Sequence, residues 1–260
     1  MDILVFVKRV PDTESKIRIS SETGKINEEG LNFVLSPYDE HAVEEAIRLR
    51  ESKGGTITVV SVGTEETVII LKKCLAMGAD EAVLVKDEAP ESYDGLRTAR
   101  IIARAVEKKF PDHKLLLFGK QAVGSDNSQV PSMVAELLGL PQVNVVTKLE
   151  IDGNQGVAHR EIEGALEKVE FSLPVVISAQ KGLNEPRYET LKGIMMAKKK
   201  EIPVISLEEL ELKAEEVASG LEITKMESPP QRQTGKITEE EPAEAAKKMV
   251  EFLHKEAKVI

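Results

Sequence analysis

The stretch GKQAVGSDNSQVPSM (119–133) gathers the residues best suited to hold a phosphate. It leaves an apolar run, carries Gly119 and Gly124, is rich in small polar side chains, and opens a helix near Ser128–Val130. Small residues let a backbone approach a ligand closely, and the N–H groups at a helix start bind phosphate oxygens. The spacing is neither a Walker motif nor GxGxxG, so an ordinary strand-to-helix loop is the competing reading. VKRVPDT (7–13) and VGTEE (62–66) also follow apolar runs and lie where ligands of open parallel sheets sit.

No catalytic constellation accompanies these loops. His41, His113, His159 and His254 lack metal-ligand spacing. Cys74 falls mid-helix at Ala-rich spacing and reads as core. The three glutamates of EIEGALE (161–167) read as solvent-facing along a strand rather than as an acid–base pair. A serine-hydrolase elbow is absent. The balance favours a binder or carrier.

A second stretch, NEPRYETLKGIMMAKKK (184–200), sets Leu191, Ile194, Met195 and Met196 beside three consecutive lysines. An apolar patch rimmed by charge suits a small transient interface.

The elements that must carry these stretches follow from pattern. Hydrophobic residues make up 41% of the 260, enough for a sizeable core, but aromatics only 3%, so the core is aliphatic. A net charge of −10 argues against nucleic-acid binding. No apolar run approaches the roughly 20 residues that span a bilayer, so no membrane insertion is expected. A single cysteine excludes an internal disulfide and fits a reducing compartment. The N-terminus reads as a strand rather than a signal or transit segment, and the expected location is cytoplasmic.

ILVFV (3–7), TITVVSV (56–62), AVLV (82–85) and KLLLFG (114–119) are continuous apolar runs, the pattern of strands buried on both faces. Residues 37–52, 65–77 and 94–109 carry apolar residues at helical spacing. The alternation predicts an α/β fold with a parallel sheet and right-handed crossovers. SPYD (36–39) marks a helix start, with Ser36 as N-cap and Pro37 at the first helical position. Beyond residue 147 the pattern becomes alternating apolar and polar around glycine turns, predicting antiparallel hairpins and a return strand at 174–179. From about 206 the chain is acidic, with an extended loop at 228–235 and an amphipathic helix at 239–255. Residues 206–238 are expected to pack poorly on their own core and to lie on another chain, or to form a flexible acidic tail.

Taken in order, VKRVPDTESKIRI, SPYDEHAVEEAIRL, CLAMGAD, GKQAVGSDNSQ, REIEGALEKVEFSLPVVIS, LNEPRYETLKGIMMAKKK and PPQR resemble the β subunits of electron transfer flavoproteins, across essentially the whole chain. The resemblance implies a Rossmann-like, adenine nucleotide α-hydrolase-like domain over 1–205. That domain would include a hairpin region at 148–172 and a recognition loop at 184–200. An arm and helix over 206–260 would pack on a partner α subunit. It implies a heterodimer in which FAD is held mainly by the α subunit. AMP is expected in this chain, with a second FAD oxidising NADH, as in bifurcating members, as the alternative. The implied nucleotide site comprises Phe6, Ser36, Pro37, Tyr38, Asp39 and Val62. The loop Gly119, Lys120, Gln121, Ala122, Val123, Gly124, Ser125, Asp126, Asn127, Ser128, Gln129 and Val130 completes it. Pro131 stands where the family has glycine and removes one N–H donor, and Val130 stands for a common threonine. Dehydrogenases such as acyl-CoA dehydrogenases would dock through Arg187, Tyr188, Leu191, Ile194 and Met195, with Leu191 at the tip and Ile194 and Met195 beneath it as support. The chain would be an electron carrier rather than an enzyme, unless it is of the bifurcating type. A stand-alone, stress-type adenine-nucleotide binder of the same fold is the reading from another class, and it leaves the 184–200 loop and the arm unexplained.

Overall fold

A computed structural model describes residues 1–20, 22–88, 94–230, 235 and 237–260. In chain order the first half contains β1 (Ile3–Phe6), β2 (Arg9–Pro11), β3 (Phe33–Leu35), α1 (Pro37–Lys53), β4 (Ile57–Gly63), α2 (Val68–Met77), β5 (Glu81–Lys86), α3 (Gly95–Lys109) and β6 (Leu115–Gly119). Then come α4 (Val130–Leu138), β7 (Gln142–Asp152), β8 (Gln155–Ile162), β9 (Ala165–Ser172), β10 (Val175–Ala179), α5 (Leu191–Lys199), β11 (Val204–Ser206) and α6 (Pro242–Glu251).

Nine strands share one sheet in the order β11-β5-β4-β1-β6-β10-β7-β8-β9. Its first seven members are parallel, and β8 and β9 extend β7 as an antiparallel hairpin. β1 is buried at every position because successive side chains enter different layers. Ile3 and Val5 pack with Ala42, Val43, Ile70 and Leu71 of α1 and α2. Leu4 and Phe6 pack with Ile101, Ile102, Val134 and Ala135 of α3 and α4. This two-sided burial is why the parallel strands are continuous apolar runs. β2 and β3 pair as a separate two-stranded sheet; β2 falls within the stretch 7–13, where a loop is expected.

Sheet order reverses between β1 and β6. From β1 the chain crosses to β4 and β5 on one side; through α3 it returns to β6 on the other. Crevices at such reversals, beyond the carboxyl ends of the strands, are where ligands of open α/β sheets bind.

The expectation for residues 206–238 needs correction. Leu210 and Val217 are buried in the core beneath α3. Arg97, paired with Asp87 at 2.6 Å, donates through Nη1 to the Val217 carbonyl at 2.8 Å. Asp94 caps α3 and accepts the Gly220 N–H at 2.7 Å. The chain therefore stays on the core to Gly220. Local composition hid this, because two apolar residues in an acidic run find their partners on a helix more than 100 residues earlier in the chain. Residues 221–230 are almost wholly exposed and α6 buries no side chain. Of the expected loop at 228–235, residues 231–234 lie outside the described residues. No helix of the described residues is long and apolar enough to cross a membrane.

Candidate functional site

The crevice at the reversal is closed from below by aromatic contact. Phe6 and Phe118 are in register on β1 and β6, and their rings stack at 4.6 Å. Phe6 is buried, and Val62 is half-buried at the end of β4. Above them the first turn of α1 is fastened by Asp39. Its carboxylate accepts the Lys8 N–H at 2.7 Å and the Gly119 N–H at 3.1 Å, tying helix start, β1 end and β6 end together. Tyr38 is half-buried with Lys120 Nζ 5.9 Å from its ring centre, and Pro37 is exposed.

Ser36 stands at the N-cap position, but its hydroxyl does not cap. Its backbone carbonyl takes the Asp39 and Glu40 N–H groups at 2.9 and 3.1 Å, and its own N–H donates to the Lys8 carbonyl at 3.0 Å. The Oγ is fully buried and has no hydrogen-bond partner among the described residues. Unpartnered buried hydroxyls are uncommon and call for an explanation.

The loop after β6 has an unusual backbone. Gly124, Asp126 and Ser128 have φ of 95°, 47° and 52°, alternate left-handed residues in a short run. Turns of this kind can aim backbone N–H groups at an anion. The loop braces itself: Gln121 Nε2 donates to Asp126 at 2.6 Å, Ser128 Oγ donates to Gln121 Oε1 at 2.9 Å, and the Asp126 N–H donates to the Ala122 carbonyl at 2.9 Å. Gly119 is buried, Lys120, Gln121, Ala122 and Val123 are half-buried, and residues 124–129 are exposed. α4 starts at Val130, as the sequence predicts, with Gln129 making no side-chain cap and Pro131 in the first turn. Uncapped amides at a helix start suit an anionic ligand. The structure thus joins Phe6, Ser36, Tyr38, Asp39, Gly119 and Lys120 at one crevice. A concavity of about 370 Å³ among Met1, Asp2, Asp112 and Lys114 faces the opposite end of the strands and is not where this topology seats ligands.

Burial pushes the Asp39 carboxyl up to about 7, and the two N–H bonds pull it down without cancelling that effect. An unfolded aspartate titrates at about 4. Between those values the folded chain keeps a proton that the unfolded chain has lost, so stability falls as pH rises through the window. Asp39→Asn carries no titratable proton and is expected to remove that fall. Urea titrations at pH 5 and pH 8 check it; an unchanged difference between the two would refute the shift. Burial likewise holds the Cys74 thiol far above its ordinary value, so it is core rather than nucleophile.

The 184–200 segment contains a helix where a loop is expected. Thr190 Oγ1 accepts the Gly193 N–H at 3.0 Å and caps α5, and Lys198 and Lys199 lie in its last turn, a favourable end for cations. Tyr188 is 94% and Leu191 84% exposed. Ile194 is half-buried against the core, as support requires. Met195 is not beneath Leu191: it is 66% exposed, one helical turn along and on the same face. Arg187 is bound to Glu44 and Glu51 of α1. Sequence reasoning missed these two glutamates. They stand two turns apart on one helix face, a legible spacing, but their partner lies 136 to 143 residues away.

Among the described residues no cluster of His, Cys, Asp or Glu could hold a metal. The family model for the electron transfer flavoprotein domain matches residues 23–210. Electron transfer flavoprotein subunit beta of Bacillus subtilis is 43% identical over 266 aligned positions, covering 100% of both chains. The subunit of the same name from Syntrophomonas wolfei is 40% identical, covering 100% of this chain and 98% of its own. That of Mus musculus is 39% identical, covering 89% and 90%. A core with its switch-point crevice, a phosphate-suited loop and matches of this extent lead to one conclusion: the chain belongs to the electron transfer flavoprotein β-subunit family.

Proposed function

We propose that the chain is the β subunit of a heterodimer whose α subunit holds the redox-active FAD, and that it binds AMP at the crevice between β1 and β6. Dehydrogenases such as acyl-CoA dehydrogenases dock through residues 184–200 and pass electrons to the complex. The chain is in this reading an electron carrier, not an enzyme. Its cytoplasmic location fits a single buried, unpaired cysteine. The arm from Leu221 onward, with α6, lies on the α subunit.

The observation that carries the nucleotide reading is the buried Ser36 hydroxyl, which has no partner among the described residues and stands beside Lys8. An unsatisfied buried hydroxyl costs about 1–3 kcal/mol, and a nucleotide oxygen would supply what it lacks. The amides of Gly124–Val130 other than Asp126, whose N–H goes to the Ala122 carbonyl, would hold the phosphate, and Pro131 offers none. The flavin, when bound, supplies the one- and two-electron chemistry. This chain's residues contribute a wall, a bound nucleotide and a docking surface.

Denaturing the co-expressed heterodimer is expected to release one AMP and one FAD. Two FAD and no AMP would instead favour the bifurcating alternative. Gly124→Val is expected to lower nucleotide content severalfold. A side chain there meets nothing within 4 Å, so the cost is the φ of 95°, which a β-branched residue resists. Full occupancy in that variant would show that the loop is not the cradle.

A further inference from the structure

We infer that Arg187 is a positioning residue: it does not meet the incoming dehydrogenase but bolts the docking surface to α1, so that Tyr188, Leu191 and Met195 are presented on a fixed frame. The inference rests on the proposed docking of dehydrogenases through residues 184–200.

The segment between β10 and α5 has no helix or strand over 183–190, yet it is tied down at short intervals. Asn184 is buried, and its Nδ2 donates to the His41 carbonyl at 3.0 Å and to Glu45 Oε2 at 2.9 Å. Arg187 then commits four of its five guanidinium N–H donors to α1. Nε and Nη2 donate to the two oxygens of Glu44 at 2.8 and 3.2 Å, and Nη1 and Nη2 to those of Glu51 at 2.6 and 3.1 Å. Its backbone N–H also donates to Glu44, at 3.2 Å. The Glu44 side chain is only 3% exposed and is further held by Arg48 at 2.9 Å. A planar fork matched on two carboxylates leaves a single N–H of Nη1 uncommitted, and this two-sided geometry suits arginine but not lysine.

The next residue, Tyr188, is the most exposed large side chain of the segment. The far end of the surface is fixed too. α5 crosses α2 so closely that a Cβ on Gly193 would lie 2.3 Å from the Ala76 carbonyl oxygen. Lys200 donates to the Asp80 carbonyl just beyond the helix. The apolar residues thus sit between two anchors. A surface ordered before the encounter loses less conformational entropy on binding, so loosening one anchor weakens docking without touching the electron-transfer step.

The test uses the holo heterodimer and an acyl-CoA dehydrogenase that reduces the wild-type complex. Arg187→Met is expected to raise KM for the dehydrogenase about tenfold, leave kcat and flavin content unchanged, and speed amide hydrogen exchange over residues 188–196. Arg187→Lys should restore only part of the affinity. Glu51→Gln, which perturbs the half-exposed side of the clamp, should raise KM about threefold and keeps the test open where Arg187→Met does not fold. A higher KM with unchanged exchange would make Arg187 a direct contact and overturn the inference, as would faster exchange with unchanged KM. Leu191→Ala separates the two levels. If it raises KM and the clamp variants do not, docking through this segment stands and the positioning role falls. If Leu191→Ala has no effect, the docking reading itself falls.

Discussion

Gly119→Ala is expected to lower the melting temperature by about 5–10 °C and to empty most of the nucleotide site. The added Cβ would lie 2.2 Å from Asp39 Oδ1 and 2.7 Å from both the Asp39 nitrogen and the Tyr38 carbonyl carbon. Two of those atoms are backbone, so no rotamer change relieves the clash. Gly119 ends β6, the middle of the nine strands, and is buried, so the first turn of α1 must move away. That movement breaks the Asp39 tie to Gly119 and pulls Ser36 and Tyr38 off the crevice. Overpacking of this kind costs roughly 1–3 kcal/mol, with the broken buried hydrogen bond adding to it. At about 2–4 °C per kcal/mol for a chain of this size, the stated shift follows. Gly235→Ala, with open space around its Cβ, is the control and should change neither quantity. Thermal melts with nucleotide quantified after denaturation make the comparison. An alanine at 119 that keeps both would show that α1 and β6 can separate without consequence.

The parallel core was legible because burial on both faces leaves an unbroken apolar signature, as in Ile3–Phe6 and Leu115–Phe118. Shorter strands were not. β11 has three residues and owes its place to pairing with β5, and β2 contains a proline that reads as turn. At the site, glycine and small polar residues marked the 119–130 loop, since composition reports directly on backbone freedom. The task of Asp39 was hidden. Three residues past Ser36 it reads as a first-turn acid of α1, and only the fold brings Gly119, 80 residues on, to its carboxylate. Arg187 shows the same limit. Its charge beside an apolar patch suggests a contact for another protein, whereas the fold supplies two carboxylates of its own chain. Local sequence reports what a residue can do; the tertiary partner decides which option is taken.

Leu191→Ala separates surface from core in one measurement. Leu191 is 84% exposed at the first position of α5, whereas Ile194 turns inward against the core. Truncating an exposed leucine leaves no cavity, so the melting temperature should stay within about 1–2 °C of the parent, in line with a surface change below about 0.5 kcal/mol. In a docked complex the same side chain would be buried in a partner pocket, worth roughly 1.5–3 kcal/mol. Interfaces between transient redox partners are small, so one anchor carries a large share of the affinity. With a factor of ten for each 1.4 kcal/mol, kcat/KM for electron transfer from a dehydrogenase should fall at least about tenfold while the flavin spectrum is unchanged. Lys198 and Lys199 would act on a different quantity. They lie at the end of α5, where they would steer encounter, so replacing them should lower the association rate at low salt and do little at high salt. The two effects part on ionic strength. The leucine's loss should persist at about 0.5 M salt, where the Debye length is only about 4 Å. A Leu191→Ala complex that melts well below the parent yet accepts electrons at the parental rate would assign the residue to packing and remove it from the interface.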